Sequence, residues 1–226
     1  MNLPGNWGVW FAVRGDLRFL SHHDLMRLMA RAAARACLPL KHSEGFHPRP
    51  RLALVPPRPV GVASRGDLMV IQLTDPLDAG ALCRRLNEQL PPDVRVSAAA
   101  ALPSRRCPQV RRIRNRVSLD EAESAAAAER IDALARMDQW TIDRPATAAG
   151  PGRAVDLKGG VEDLAVQGRT LRFALRAGPA GMPRCADVLA LLGLTRPAGG
   201  DRVAATEALA RTERTDIEYD LAPGGP

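Results

Sequence analysis

Apolar and polar positions alternate from Trp7 to Val13, and this period of two in a run of β-formers predicts a strand. The period then changes. Leu25, Leu28, Met29, Ala32 and Ala36 share one face of a helix that runs to about Ala36, with Pro39 beyond its end. Ser21 is placed to cap that helix, and Asp24 follows three residues on in the manner of a capping box. Short strands are expected at Arg51–Val55, after a Pro-rich loop, and at Leu68–Leu73. Ala79–Leu90 reads as a helix stopped by Pro91-Pro92, and Val94–Ala100 as a further strand.

The first half is therefore ordered β-α-β-β-α-β, the split βαβ or ferredoxin-like pattern. The second half repeats it less cleanly. A strand is expected at Val110–Leu119 and a helix at Asp120–Met137, capped by Ser118 or Asp120 with acids in its first turn. Trp140–Asp143 is a short strand candidate, Arg144–Gly152 a loop, and Val155–Leu157 weakly extended. Leu164–Arg176 fits a hairpin turning at Gln167-Gly168. Pro183–Leu192 suits a helix with Gly193 just past its end, and Val203–Thr212 suits a terminal strand. The expected fold class is α+β, with two tandem ferredoxin-like domains. Residues 1–104 form the first, 105–116 an Arg-rich junction and opening strand, 117–221 the second, and 222–226 a disordered tail.

Charge changes this picture more than overall composition does. The net charge is +7, and only Lys41 and Lys158 of the 32 basic residues are not arginine. Residues 1–104 carry +5 and residues 105–116 carry +6, the latter with no acid at all, whereas residues 117–226 carry −4. Such an asymmetry suits a polyanion, with nucleic acid the leading candidate. No run of eighteen apolar residues or signal-peptide pattern occurs, so a cytoplasmic protein without membrane contact is expected. The four cysteines are scattered without a CxxC pair and are expected to be buried free thiols.

The special residues crowd into residues 18–50. Arg27, Arg31 and Arg35 are spaced four apart on one helix face, a ridge whose guanidinium forks suit phosphate oxygens. His22 and His23 sit in the first helical turn, where free N–H groups favour an anion. His22 and His47 are also the candidates for general acid–base work. In Ser43-Glu-Gly-Phe-His-Pro-Arg-Pro50, Gly45 permits unusual backbone angles, and Phe46 lies among His42, His47, Arg49 and Arg51. An aromatic within a basic loop is a stacking platform for an unpaired base or, alternatively, a plug for the core beneath. Arg112, Arg114 and Arg116 alternate, so on a strand they share a face that can meet backbone phosphates; Arg105 and Arg106 precede them. No P-loop, dinucleotide fingerprint, HExxH or GxSxG motif is present, and neither a metal site nor a cofactor is expected.

Gly15-x-x-Arg18-Phe-Leu-Ser-His22-x-Asp24-Leu-x-Arg27 combines with Arg31, Leu38-Pro39, Ser43-x-Gly45-Phe46-x-Pro48-x-Pro50 and Pro59-Val-Gly61. This set resembles the radical-SAM-linked protein family, a bacterial domain fused to, or encoded beside, a B12-binding-type radical SAM protein. The likeness is dense over residues 7–75 and thinner through Asp156-Leu-Lys158 and Pro183–Gly193. His23 stands where the family has an apolar residue, which makes His22 the better candidate of the two. The chain lacks the radical SAM cysteine triplet, so the resemblance implies the accessory part rather than the radical enzyme.

The reading that follows is an RNA-binding module that presents tRNA or rRNA to a radical SAM partner and has no activity by itself. Its site would comprise Arg18, His22, Asp24, Arg27, Arg31, Arg35, Ser43, Gly45, Phe46, His47 and Arg49, with Arg112, Arg114 and Arg116 on the second domain. The alternatives are a metal-independent RNA endonuclease of the tandem ferredoxin-like type and a protein-interaction adaptor that does not touch nucleic acid.

Overall fold

The computed structural model describes residues 5–103, 107–144, 151–178, 181–195 and 202–221. Arg105, Arg106 and the tail 222–226 lie outside the described residues, as does most of the loop expected at 144–152. The fold is mixed α+β, dominated by antiparallel sheet. The chain divides into two compact units, residues 1–110 with 219–226, and residues 111–218. No helix among the described residues is long and apolar enough to cross a membrane.

Unit 1 opens with β1 (Asn6–Val13), then a 3₁₀ turn at Gly15–Phe19 that the periodicity did not reveal, and α1 (His22–Arg35). There follow β2 (Leu52–Val55), β3 (Ala63–Gln72), α2 (Ala79–Gln89) and β4 (Val94–Ala101). β1 lies between β4 and β3, and β2 pairs with the far side of β3, all antiparallel. Alternation sends Trp7, Val9, Phe11 and Val13 into the core, where they meet Leu25 and Met29 of α1 and Leu82 and Leu86 of α2. Each helix end is closed by the other helix. Arg35 donates to the Gln89 carbonyl at 2.6 Å, while Arg85 donates to the carbonyls of Ala36 (2.5 Å) and Cys37 (2.6 Å). These are the orphan C-terminal carbonyls that every helix must satisfy.

Unit 2 contains β5 (Gln109–Ser118, from Arg111 on), α3 (Glu121–Ala135), the paired strands β6 (Thr141–Arg144) and β7 (Arg153–Asp156), and the hairpin β8 (Val161–Gln167) and β9 (Thr170–Arg176). Two helices, α4 (Cys185–Leu191) and α5 (Arg202–Ala210), precede β10 (Thr212–Asp220). The sheet order is β10-β5-β9-β8. Asp120 caps α3 in a full capping box with Glu123, and Arg211 grips Glu123 at 2.5 and 2.8 Å. That hydrogen bond from Arg211 is the main cause holding the Glu123 carboxyl below its ordinary pKa.

Two expectations need correction. Val203–Thr212 is not the terminal strand. Its alanine-rich sequence, with few β-branched residues, forms α5, as the helix propensity of alanine favours. The terminal strand begins at Thr212. The thiols are also not uniformly buried. Cys185 is, and burial pushes its pKa up to about 12, but Cys37 and Cys107 are exposed and Cys83 is half-buried.

Candidate functional site

Ser21 begins α1 as expected. Its Oγ accepts from the Asp24 N–H at 3.2 Å, and its hydroxyl donates to Asp24 Oδ2 at 2.7 Å. Asp24 therefore does not complete a reciprocal box; its carboxylate takes the Ser21 hydroxyl and the Arg27 guanidinium (3.1 Å). These contacts, the Ser21 hydroxyl foremost, hold the Asp24 carboxyl below its ordinary pKa. The His22 and His23 rings meet edge-on at 5.8 Å. Partial burial, and secondarily the neighbouring His23, lower the His22 pKa from its ordinary value.

The ridge of three arginines does not act as one. Arg27 is paired with Asp24, and Arg35 is committed to the end of α2. Arg31 is exposed and has no carboxylate partner among the described residues. A helix face that the spacing alone makes uniform is thus divided by contacts from outside the helix.

Arg18 lies in the 3₁₀ turn, its guanidinium 5.1 Å from the centre of the Phe19 ring. Its carbonyl accepts from the Gly61 N–H (2.9 Å) and from Arg58 (2.7 Å). The Arg18 and Pro59-Val-Gly61 parts of the sequence motif, forty residues apart, therefore meet through the backbone. Beneath them lies a buried ionic cluster that sequence reasoning missed. Arg58 and Asp67, each with a side chain only 3% exposed, stand 3.5 Å apart, and Asp67 Oδ1 accepts from the Ser64 hydroxyl at 2.7 Å. Arg58 also donates to the Val62 carbonyl. The available signal was a charged residue in each of two apolar surroundings, Pro57-Arg58-Pro59 and Gly66-Asp67-Leu68. Charges are rarely buried unless paired.

The loop at 43–49 is closed at its base by two hydrogen bonds, Ser43 N–H to the Arg49 carbonyl (2.8 Å) and Arg49 N–H to Ser43 Oγ (3.0 Å). Two residues outside, Arg51 N–H donates to the Lys41 carbonyl at 2.8 Å. Gly45 at the tip has φ +117°, a conformation few other residues adopt. Phe46 next to it is fully exposed. The core-plug alternative for Phe46 is thereby removed. His47 and Arg49 are exposed beside it. Among the described residues no hydrogen bond joins this loop to His22, Asp24 or Arg27, and His22 and His47 are not bonded to each other. The residues form separate local clusters, not a bonded catalytic constellation: the start of α1 follows Val13 at the Ser64 end of β3, whereas the loop is anchored at the Gln72 end. Nor do three His, Cys, Asp or Glu side chains converge as metal ligands among them.

Arg112, Arg114 and Arg116 do share one face of β5, but acids meet each of them. Arg112 pairs with Glu162 (3.0 Å) and Asp163 (2.5 Å). Arg114 pairs with Asp216 and Glu218, both at 2.6 Å, and Arg116 with Glu213 at 2.6 Å. The Arg112/Arg114/Arg116 face is thus neutralised within its own unit. This weakens the case for it as a phosphate-binding face.

No curated protein matches the chain. One family does, described as "Uncharacterized protein conserved in bacteria (DUF2344)", over residues 7–184. That match runs from β1 to the residue before α4, including the motif segments around Arg18, His22, the 43–49 loop and Gly61. It names no radical SAM or B12-binding domain. On this match, which spans well over half of its length, the chain belongs to the bacterial conserved family DUF2344.

Proposed function

We propose that this protein is a cytoplasmic RNA-binding accessory module, built of two tandem ferredoxin-like domains, that presents tRNA or rRNA to a radical SAM partner. The observation that carries the RNA reading is Phe46: a fully exposed ring on a loop pinned at its base, flanked by exposed His47 and Arg49. With both faces of its ring in water, Phe46 is open to stacking. Unpaired bases stack on such a ring without regard to sequence. The β-α-β-β-α-β order of unit 1, and its counterpart in unit 2 with the β6–β7 pair inserted, support the tandem ferredoxin-like reading. The radical SAM partner rests on the sequence resemblance.

Binding of a fluorescent single-stranded RNA should fall steeply with salt, because each neutralised phosphate releases counterions. Arg31→Glu with Arg49→Glu should weaken binding to all sequences alike and flatten the salt slope by about one per lost contact. Arg114→Glu should behave differently. It places a third carboxylate beside Asp216 and Glu218 and should lower the melting temperature more than it lowers affinity. RNA affinity unchanged in the Arg31/Arg49 double variant would refute the RNA reading.

The ribonuclease alternative predicts metal-free cleavage that disappears in His22→Ala; on the present reading the intact chain leaves labelled RNA uncut. The partner claim has its own test. Affinity capture of the full chain from cells should retain a radical SAM protein after RNase treatment, and complete loss on RNase treatment would mean that RNA merely bridges the two.

A further inference from the structure

A second basic cluster in unit 1 lies apart from α1 and the 43–49 loop. A cleft of about 410 Å³ is lined by Ala12, Arg14, Arg65, Asp93, Arg95 and Ser97, with Pro92 at its edge. It opens on the sheet face away from the helices. Val13, Val94 and Val96 point into the helix-covered core, so Ala12 and Arg95, directly paired across β1 and β4, point to the other side. Arg65 comes from β3 beside Ser64, which pairs with Val13. Three strands thus bring three guanidinium groups around the small side chain of Ala12.

The backbone of the cleft is fixed. Arg14 N–H donates to the Asp93 carbonyl at 2.8 Å. Gly15 packs so tightly here that an added Cβ would sit 2.2 Å from Asp93 Oδ2, at a φ of +52°. The Ser97 hydroxyl donates to the Trp10 carbonyl at 3.2 Å, which leaves Arg14 and Arg95 as the donors the cleft offers a ligand. Among the described residues neither Arg14 nor Arg95 has a carboxylate at ion-pair distance. Asp93 is the one acid in the lining against three arginines.

We propose that this cleft binds a phosphate group. Guanidinium forks converging from separate strands match the spread oxygens of a phosphate better than a single carboxylate does. The site does not rest on the stacking role of Phe46, and it accepts the same chemistry from a polynucleotide backbone or from a small phosphorylated ligand.

The test uses the full chain, with inorganic pyrophosphate as one probe and a short fluorescent single-stranded RNA as the other. Pyrophosphate should shift the amide resonances of Arg14, Arg95 and Ser97 saturably. Arg14→Ala with Arg95→Ala should weaken it about tenfold or more, as loss of charge-assisted hydrogen bonds does. Asp93→Asn keeps shape and removes the opposing charge, so it should tighten binding several-fold, a direction that damage to the fold does not produce. If the Arg14/Arg95 variant also loses RNA and pyrophosphate competes with RNA, the phosphate is a phosphodiester. If RNA is unaffected, the natural ligand is a small phosphorylated molecule. Absence of saturable shifts up to about ten millimolar pyrophosphate, or unchanged affinity in both variants, would overturn the proposal.

Discussion

Asp67→Ala will cost the protein about 3–5 kcal/mol of stability, because it takes the Asp67 carboxylate away from the buried Arg58 guanidinium. Both side chains are 3% exposed, so water does not replace the lost partner. The loss should appear as a lower urea midpoint with an unchanged slope. The double change R58M/D67L removes both charges and should lose less than the two single truncations added together. An Asp67→Ala variant within about 1 kcal/mol of the parent would show that the pair carries no such role. The consequence reaches the surface. Arg58 holds the carbonyls of Arg18 and Val62, so the turn that presents Arg18 and Phe19 should loosen first.

Phe46→Ala should do the opposite, lowering RNA affinity by about 1–3 kcal/mol while leaving the melting temperature untouched. The stability half follows from geometry, since a fully exposed ring takes no part in the core. Phe46→Leu removes the flat face but keeps an apolar side chain, and it should bind nearly as poorly as alanine if stacking is the interaction. Equal affinity of the leucine variant and the parent would mean that greasy contact alone suffices. Unchanged affinity of the alanine variant would remove Phe46 from the site.

Much of unit 1 was legible because its signals are local. Ser21 announces α1, the alternation of Trp7–Val13 gives β1 and its inward face, and Pro91-Pro92 ends α2. What the sequence hid depends on partners distant along the chain. Arg35 looks like the third member of a basic ridge until α2 places the Gln89 carbonyl within its reach. The Arg112/Arg114/Arg116 face looks bare for a related reason. The acids of Arg114 and Arg116 sit on β10, at Glu213, Asp216 and Glu218, beyond the segment expected to be the final strand, and those of Arg112 sit on β8, at Glu162 and Asp163. Alternation along β5 shows that the three arginines share a face, but not which acids the neighbouring strands bring to it. Charge totals per segment could not correct this, because they count side chains and not neighbours. The buried Arg58–Asp67 pair left only a faint trace, a charge in each of two apolar surroundings, and nothing in the sequence joins the two.

The exchange of arginines between the ends of α1 and α2 has a kinetic consequence. Arg35 closes α2 and Arg85 closes α1, so fraying of either helix releases a clasp on the other. The last turns of the two helices should therefore open as one unit in native-state hydrogen exchange, with matching free energies of opening despite lying more than fifty residues apart in sequence. Arg85→Ala should raise the exchange of the final amides of α1 and α2 together. Faster exchange confined to α1 would show that the two clasps open independently.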